Sequence, residues 1–218
     1  MSILEAMGKS EMNVRQINGV VPGVITNNQD PDNLGRVKIY FPWLSDDNET
    51  DWVRIASLMA GNERGSFFLA EVNDEVLVAF EQGDINYPYV IGFLWNTKAR
   101  PPEANENGQN DIRKITSRSG HEIIFNDNDT EGEEKVEIHT NSGHKIVLDD
   151  STGQEKIEII DKTGSNKITI DSVGNAIEIE SALQLNIKST NIEIEGTGSL
   201  SLKSSGSLKI NGSIVQIN

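Results

Sequence analysis

Glycines recur through the second half of the chain at Gly120, Gly132, Gly143, Gly153, Gly164 and Gly174, at intervals of 12, 11, 10, 11 and 10 residues. Between them apolar residues stand two apart: Ile123 and Phe125, Val136 and Ile138, Ile146 and Leu148, Ile157 and Ile159, Ile168 and Ile170, Ile177 and Ile179. A period of two predicts short strands, each with one aliphatic face, and the glycines mark the turns between them. The wording repeats as well. Ser119-Gly120-His121-Glu122-Ile123-Ile124-Phe125 returns as Ser142-Gly143-His144-Lys145-Ile146-Val147-Leu148 and, more loosely, from Thr163 to Ile170. A second phrase alternates with it: Lys135-Val136-Glu137-Ile138, Lys156-Ile157-Glu158-Ile159, Ala176-Ile177-Glu178-Ile179. The unit is therefore a strand pair of about 22 residues, present three times. One pair cannot bury its own apolar face, so repeats of this kind predict a stacked architecture.

Beyond Ser181 the spacing changes but the alternation persists, in Leu183, Leu185 and Ile187, then Ile192 and Ile194, Leu200 and Leu202, Leu208 and Ile210, and Val215 and Ile217. Serine and glycine between residues 199 and 213 are also the composition of a flexible tail. Apolar residues two apart favour continued strands, since a linker loses that alternation.

Composition narrows the function classes. A formal net charge of −15 is a poor field for phosphates, which excludes nucleic acid as the expected partner. No run of 18 apolar residues is present, and no basic segment followed by an apolar one suggests a signal peptide. Without cysteine the chain has no disulfide, thiolate metal site or cysteine nucleophile. Neither a nucleophile elbow nor a phosphate-binding, zinc-protease or dinucleotide motif occurs, and the pair Asp149 and Asp150 reads as a solvated turn; no enzyme and no cofactor are expected. All three Trp, all three Tyr and five of six Phe lie between residues 40 and 95. That shift predicts two domains, the first with an aromatic core and the second with a thin aliphatic interior.

Ahead of the repeats, residues 1–16 allow a short helix with Ile3, Leu4 and Met7 on one side. From Val20 onward short strands alternate with polar turns. Val37, Ile39 and Phe41 share one face, and further strands are expected at residues 52–56, 66–69, 75–80 and 89–95. Five or six short strands in about 75 residues predict a small closed barrel.

Gly35-Arg36-Val37-Lys38-Ile39-Tyr40-Phe41-Pro42-Trp43, then Trp52-Val53-Arg54-Ile55, Asn73-Asp74-Glu75-Val76-Leu77-Val78-Ala79-Phe80, Gly83-Asp84 and Pro88-Tyr89-Val90-Ile91-Gly92 resemble the OB-fold domain of the phage baseplate spike family. That family includes baseplate assembly protein V of contractile phages and the VgrG spikes of type VI secretion. Ala70 and Asn86 stand where proline is common, and Asn73 where glycine is, which affects turns rather than strands. The resemblance implies an all-β chain, with an N-terminal OB-fold barrel followed by an intertwined trimeric β-helix or β-prism needle. Its parts are an N-terminal extension (1–17), the OB-fold domain (18–96), a Pro- and Asn-rich linker (97–111) too short for an inserted lysozyme, and the needle (112–218).

Such a needle is a homotrimer whose core would be Ile123, Phe125, Val136, Ile138, Ile146, Leu148, Ile157, Ile159, Ile168, Ile170, Ile177, Ile179, Leu183, Leu185, Ile187, Ile192, Ile194, Leu200, Leu202, Leu208 and Ile210, with backbones pairing between chains. Glu137, Lys145, Glu158 and Glu178 would face outward. His121 and His144 share parity with the inward residues, so three copies could form an axial metal ring; the other reading is an exposed corner beside a glycine. The His-x-His pair that holds iron at the tip of some relatives is missing.

The implied function is the central spike of a contractile injection system, in a phage tail, tailocin or related particle, which punctures the target envelope mechanically. Its partners would be a separate baseplate hub at the OB domain, a PAAR-like tip protein at the C-terminus and, transiently, the target membrane, with assembly in the bacterial cytoplasm. The competing readings are a β-repeat fibre or adhesin and an OB-fold carbohydrate-binding module.

Overall fold

A computed structural model of the chain describes residues 17–44 and 49–217. The expected helix within residues 1–16 lies outside the described residues. Two compact units divide between Gln109 and Asn110, and each has its own sheet.

The first unit contains β1 (Val20–Asn27), β2 (Lys38–Tyr40), β3 (Arg54–Ile55), β4 (Ala60–Gly61), β5 (Arg64–Gly65), β6 (Glu75–Phe80) and β7 (Pro88–Leu94), with a one-turn 3-10 helix at Glu81–Gly83. Five of these strands form a sheet in the order β2-β1-β6-β7-β3. Its outer members are joined by a bridge between Val37 and Val53, each donating its backbone N–H to the other's carbonyl at 3.0 and 2.7 Å. The expected barrel is closed at that point.

The barrel interior is aliphatic, contrary to the expected aromatic core. Ile25, Val37, Ile39, Val53, Val76, Val78 and Val90 are buried with Phe41 and Phe80, whereas Phe67, Phe68, Tyr87, Phe93 and Trp95 are exposed. Five short strands enclose a space that β-branched side chains fill; larger rings are left on the outside.

Two turns explain how the strands are held. Asp30, almost fully buried, accepts backbone N–H groups from Asp32, Leu34 and Arg36, together with the Arg36 guanidinium at 2.7 and 2.9 Å. Those hydrogen bonds, the Arg36 pair foremost, hold its carboxyl well below the usual carboxylate range. Asn73 adopts φ +79°, so asparagine fills a left-handed turn position of the kind glycine favours.

Residues 66–69 form no strand. The hairpin lies just before them instead, with β4 and β5 joined across Asn62 and Glu63, the latter at φ +54°. The detached pair leaves Leu58, Phe67 and Phe68 at the surface around a cleft of about 180 Å³ that Phe93 also lines.

The second unit is a meander of seven strands: β8 (Ile112–Thr116), β9 (Glu122–Asn126), β10 (Lys135–His139), β11 (Lys145–Asp149), β12 (Lys156–Ile160), β13 (Lys167–Asp171) and β14 (Ala176–Glu180). Each pairs antiparallel with its sequence neighbours, in the order β14-β13-β12-β11-β10-β9-β8. Within residues 112–180, then, the backbone partners come from the same chain. Turns of four to eight residues bring successive strands together at little loop-closure cost, which favours this local pairing.

Gly23 lies where β1 crosses close to β2: a Cβ there would stand 2.5 Å from Ile39 Cγ2, whereas one on Gly92 would meet nothing within 4 Å. Gly23→Ala is expected to cost about 1–3 kcal/mol through overpacking, and Gly92→Ala to be nearly silent. Urea unfolding followed by tryptophan fluorescence checks this, because all three Trp belong to the first unit.

Candidate functional site

The meander keeps one register throughout, so its repeats align side by side. One column runs Ile115, Ile123, Ile138, Ile146, Ile159, Ile168, Ile179 across the seven strands. Beside it runs a second: Phe125, Val136, Leu148, Ile157, Ile170, Ile177, with Arg113 heading it on β8 and paired to Asp127. Apart from Val136, these aliphatic and aromatic side chains are between 38% and 71% exposed. Two adjoining columns of large apolar groups thus lie open on one face of a sheet, a surface of the kind that marks an association site.

The opposite face is polar and more covered. Glu137, Lys145, Glu158 and Glu178 lie there, as their parity predicted. Lys135 meets Glu137 and Lys156 meets Glu158, both at 3.2 Å, and these pairs flank Val147, the one buried hydrophobic residue among those described in this unit. The lysine stems supply apolar cover while their ammonium groups reach carboxylates. His139 lies 3.4 Å from Glu122 on this face, and Lys114 lies 3.2 Å from the same carboxylate. Hydrogen bonds from Thr116 and Lys114 hold Glu122 below its ordinary value.

His121 and His144 occupy equivalent corners, both exposed. Each corner begins with a capping side chain, Ser117 or Thr140, whose oxygen accepts the histidine's backbone N–H, and turns on Gly120 or Gly143 at positive φ. The ring then ties its corner to the next: His121 Nδ1 accepts from the N–H of Asn141 at 3.3 Å, and His144 Nδ1 from that of Lys162 at 3.2 Å. The third corner repeats this with Asp161, Gly164 and Asn166, whose Oδ1 accepts from Ala182 N–H at 3.1 Å. This tie went unread in the sequence, although the cap, the glycine and the acceptor recur together. Among the described residues, no group of three His, Asp or Glu could hold a metal ion.

Past β14 the described residues form neither strand nor helix, with bends at residues 182–183, 190, 197–198, 205–206 and 213. Among the described residues, no backbone–backbone hydrogen bond involves residues 181–217. Leu183, Leu185, Ile187, Ile192, Ile194, Leu200, Leu202, Leu208 and Ile210 are exposed by 53–96%. The alternation expected to continue as strands beyond Ser181 thus forms none among the described residues of this single chain.

Two predictions concern the corners. His144→Ala should speed hydrogen exchange at the Lys162 amide by about threefold to tenfold, the worth of one hydrogen bond, while His144→Asn, which keeps an acceptor, should preserve most protection. The Asn166 side chain, helped by Thr163, holds Asp161 down to about 2. A depressed carboxylate stabilises the fold above its unfolded value of about 4, and that contribution disappears as pH falls through about 2. Protection of the Asn166 amide should follow this fall, and Asp161→Asn should abolish the dependence.

The first unit matches the family of type VI secretion system and phage-baseplate injector OB domains over residues 21–95. The chain is also 31% identical to the type VI secretion system spike protein VgrG1b of Pseudomonas aeruginosa over 127 residues, which covers 54% of this chain and 17% of that protein. It is 34% identical over 117 residues to VgrG5 of the same organism, covering 50% and 15%, and 29% identical over 126 residues to VgrG3 of Vibrio cholerae, covering 54% and 12%. The match thus spans less than a fifth of each relative's length. It is nonetheless longer than residues 1–95 can hold, so the likeness continues past the barrel. Barrel, bridge and matches agree that residues 21–95 are an OB domain of the type VI secretion and phage-baseplate injector kind, and the chain is similar over about half its length to VgrG spike proteins.

Proposed function

We propose that the chain is the structural central spike of a contractile injection system, a homotrimer that acts mechanically and carries out no catalysis. The observation that carries this reading is the pair of open aliphatic columns on the second unit, joined in sequence to an injector-type OB unit. Three copies around an axis would bury both columns, and each Val, Ile or Leu so covered contributes roughly 1.5–3 kcal/mol. Residues 181–217 would find their missing backbone partners in the other two copies, which satisfies main-chain groups that one chain leaves to solvent. The columns would face the axis and Glu137, Glu158 and Glu178 the solvent.

In this arrangement the OB units sit on a baseplate hub and the second units form a needle that sheath contraction drives through the target envelope, with a PAAR-like protein as the candidate partner at its far end. The particle would be assembled in the bacterial cytoplasm. Its useful property would be resistance to unfolding rather than turnover.

Ile157→Asp tests the reading. Ile157 is 41% exposed in one chain, so the substitution spares the meander; around an axis it places three charges in an apolar interior, each costing several kcal/mol. The full chain should sediment as a trimer, and the variant as a folded monomer. Glu158→Lys, on the other face, should leave the trimer intact. A wild-type chain that sediments as a 24.0 kDa monomer would refute the proposal.

A further inference from the structure

The two columns of the meander are nearly uniform along the stack. The first is isoleucine on every strand, from Ile115 to Ile179, and the second is apolar everywhere below Arg113. Burying them against other copies therefore does not decide whether neighbouring chains run in the same direction or in opposite ones. The two lateral edges of the sheet are not alike, and they differ in charge.

One edge consists of the turns at residues 127–134, 150–155 and 172–175. The first turn holds five acidic residues, the second Asp150 and Glu155, the third none, and no basic residue occurs in any of them. The other edge consists of the corners at residues 117–121, 140–144 and 161–166. Arg118, His121, His144 and Lys162 are exposed there, and the single carboxylate, Asp161, is engaged within its own corner by Thr163 and Asn166. Because His121 and His144 accept backbone N–H groups at Nδ1, each neutral ring carries its hydrogen on Nε2, from which it can be donated to a carboxylate.

Symmetry determines which edges can meet. Copies related by rotation about an axis along the strand stack bring the acidic edge of one against the corner edge of the next. Copies packed face to face in opposite directions bring acidic edge against acidic edge. We propose that the two edges are complementary contact surfaces for a second copy of this chain, and that their opposite character makes all copies run in the same direction. This rests on the spike reading, in which the copies share their columns around one axis. Antiparallel packing would bury the same isoleucines, but it would crowd like charges together within the screening distance of about 8–10 Å. The acidic turns thus act as much against the wrong orientation as for the right one.

Charge reversal on each edge, followed by sedimentation equilibrium of the full chain, tests the assignment. Arg118→Glu/Lys162→Glu should weaken the trimer about tenfold or more, and so should Asp129→Lys/Glu133→Lys. All four substitutions together reverse both edges and leave the net charge of the wild type, so association should return to nearly the wild-type strength. All four side chains are exposed in turns, and circular dichroism checks that each variant keeps its strands. Unchanged association in both double variants, stronger association in Asp129→Lys/Glu133→Lys, or no recovery in the combined variant would overturn the edge pairing. A wild-type trimer with any of those results removes the edge pairing alone, whereas a monomeric wild type removes the spike reading.

Discussion

The antiparallel hydrogen-bond ladder of β8 to β14 is what the second unit depends on. Because side chains alternate across a strand, a slip of one residue in any pair would send its aliphatic groups to the polar side. Every pair from β8 to β14 keeps its register, from Ile115 opposite Ile123 to Ile168 opposite Ile179. The open columns follow from backbone pairing within the chain, before any other copy is involved. The corners reinforce that register, since each cap, glycine and acceptor fixes where the next turn must lie.

The two units solve burial in different ways. The barrel encloses its own aliphatic core and presents aromatic groups to the outside. The meander buries almost nothing of its own, and its best-covered hydrophobe, Val147, sits among ion pairs on the polar side. A single-layer sheet always has one face too many; this one leaves the apolar face open and covers the polar face with paired long side chains.

Much of this was legible in the sequence because two periodicities are strong. The alternation at residues 123–179 gave the strands and faces of the meander, and the phrases around Val37, Val53 and Val76 gave the barrel. The aromatic cluster misled: ring content is set by local surface chemistry as much as by burial, and the sequence does not say which side of a small barrel a Phe occupies. The hairpin at Ala60–Gly65 was hidden because its strands are two residues long, shorter than any pattern can register. Whether a strand pairs with its own chain or with another is equally invisible to periodicity, which explains why interchain pairing was expected for residues that pair locally.

The corner tie has an evolutionary consequence. Each links one turn to the next, from Asn141 to His121 and from Lys162 to His144, so a strand pair carries its own means of attachment to whatever follows. A lineage can therefore lengthen or shorten the meander by whole repeats without redesigning either face. A single inserted residue within a strand has no such freedom, because it exchanges the two faces from that point on.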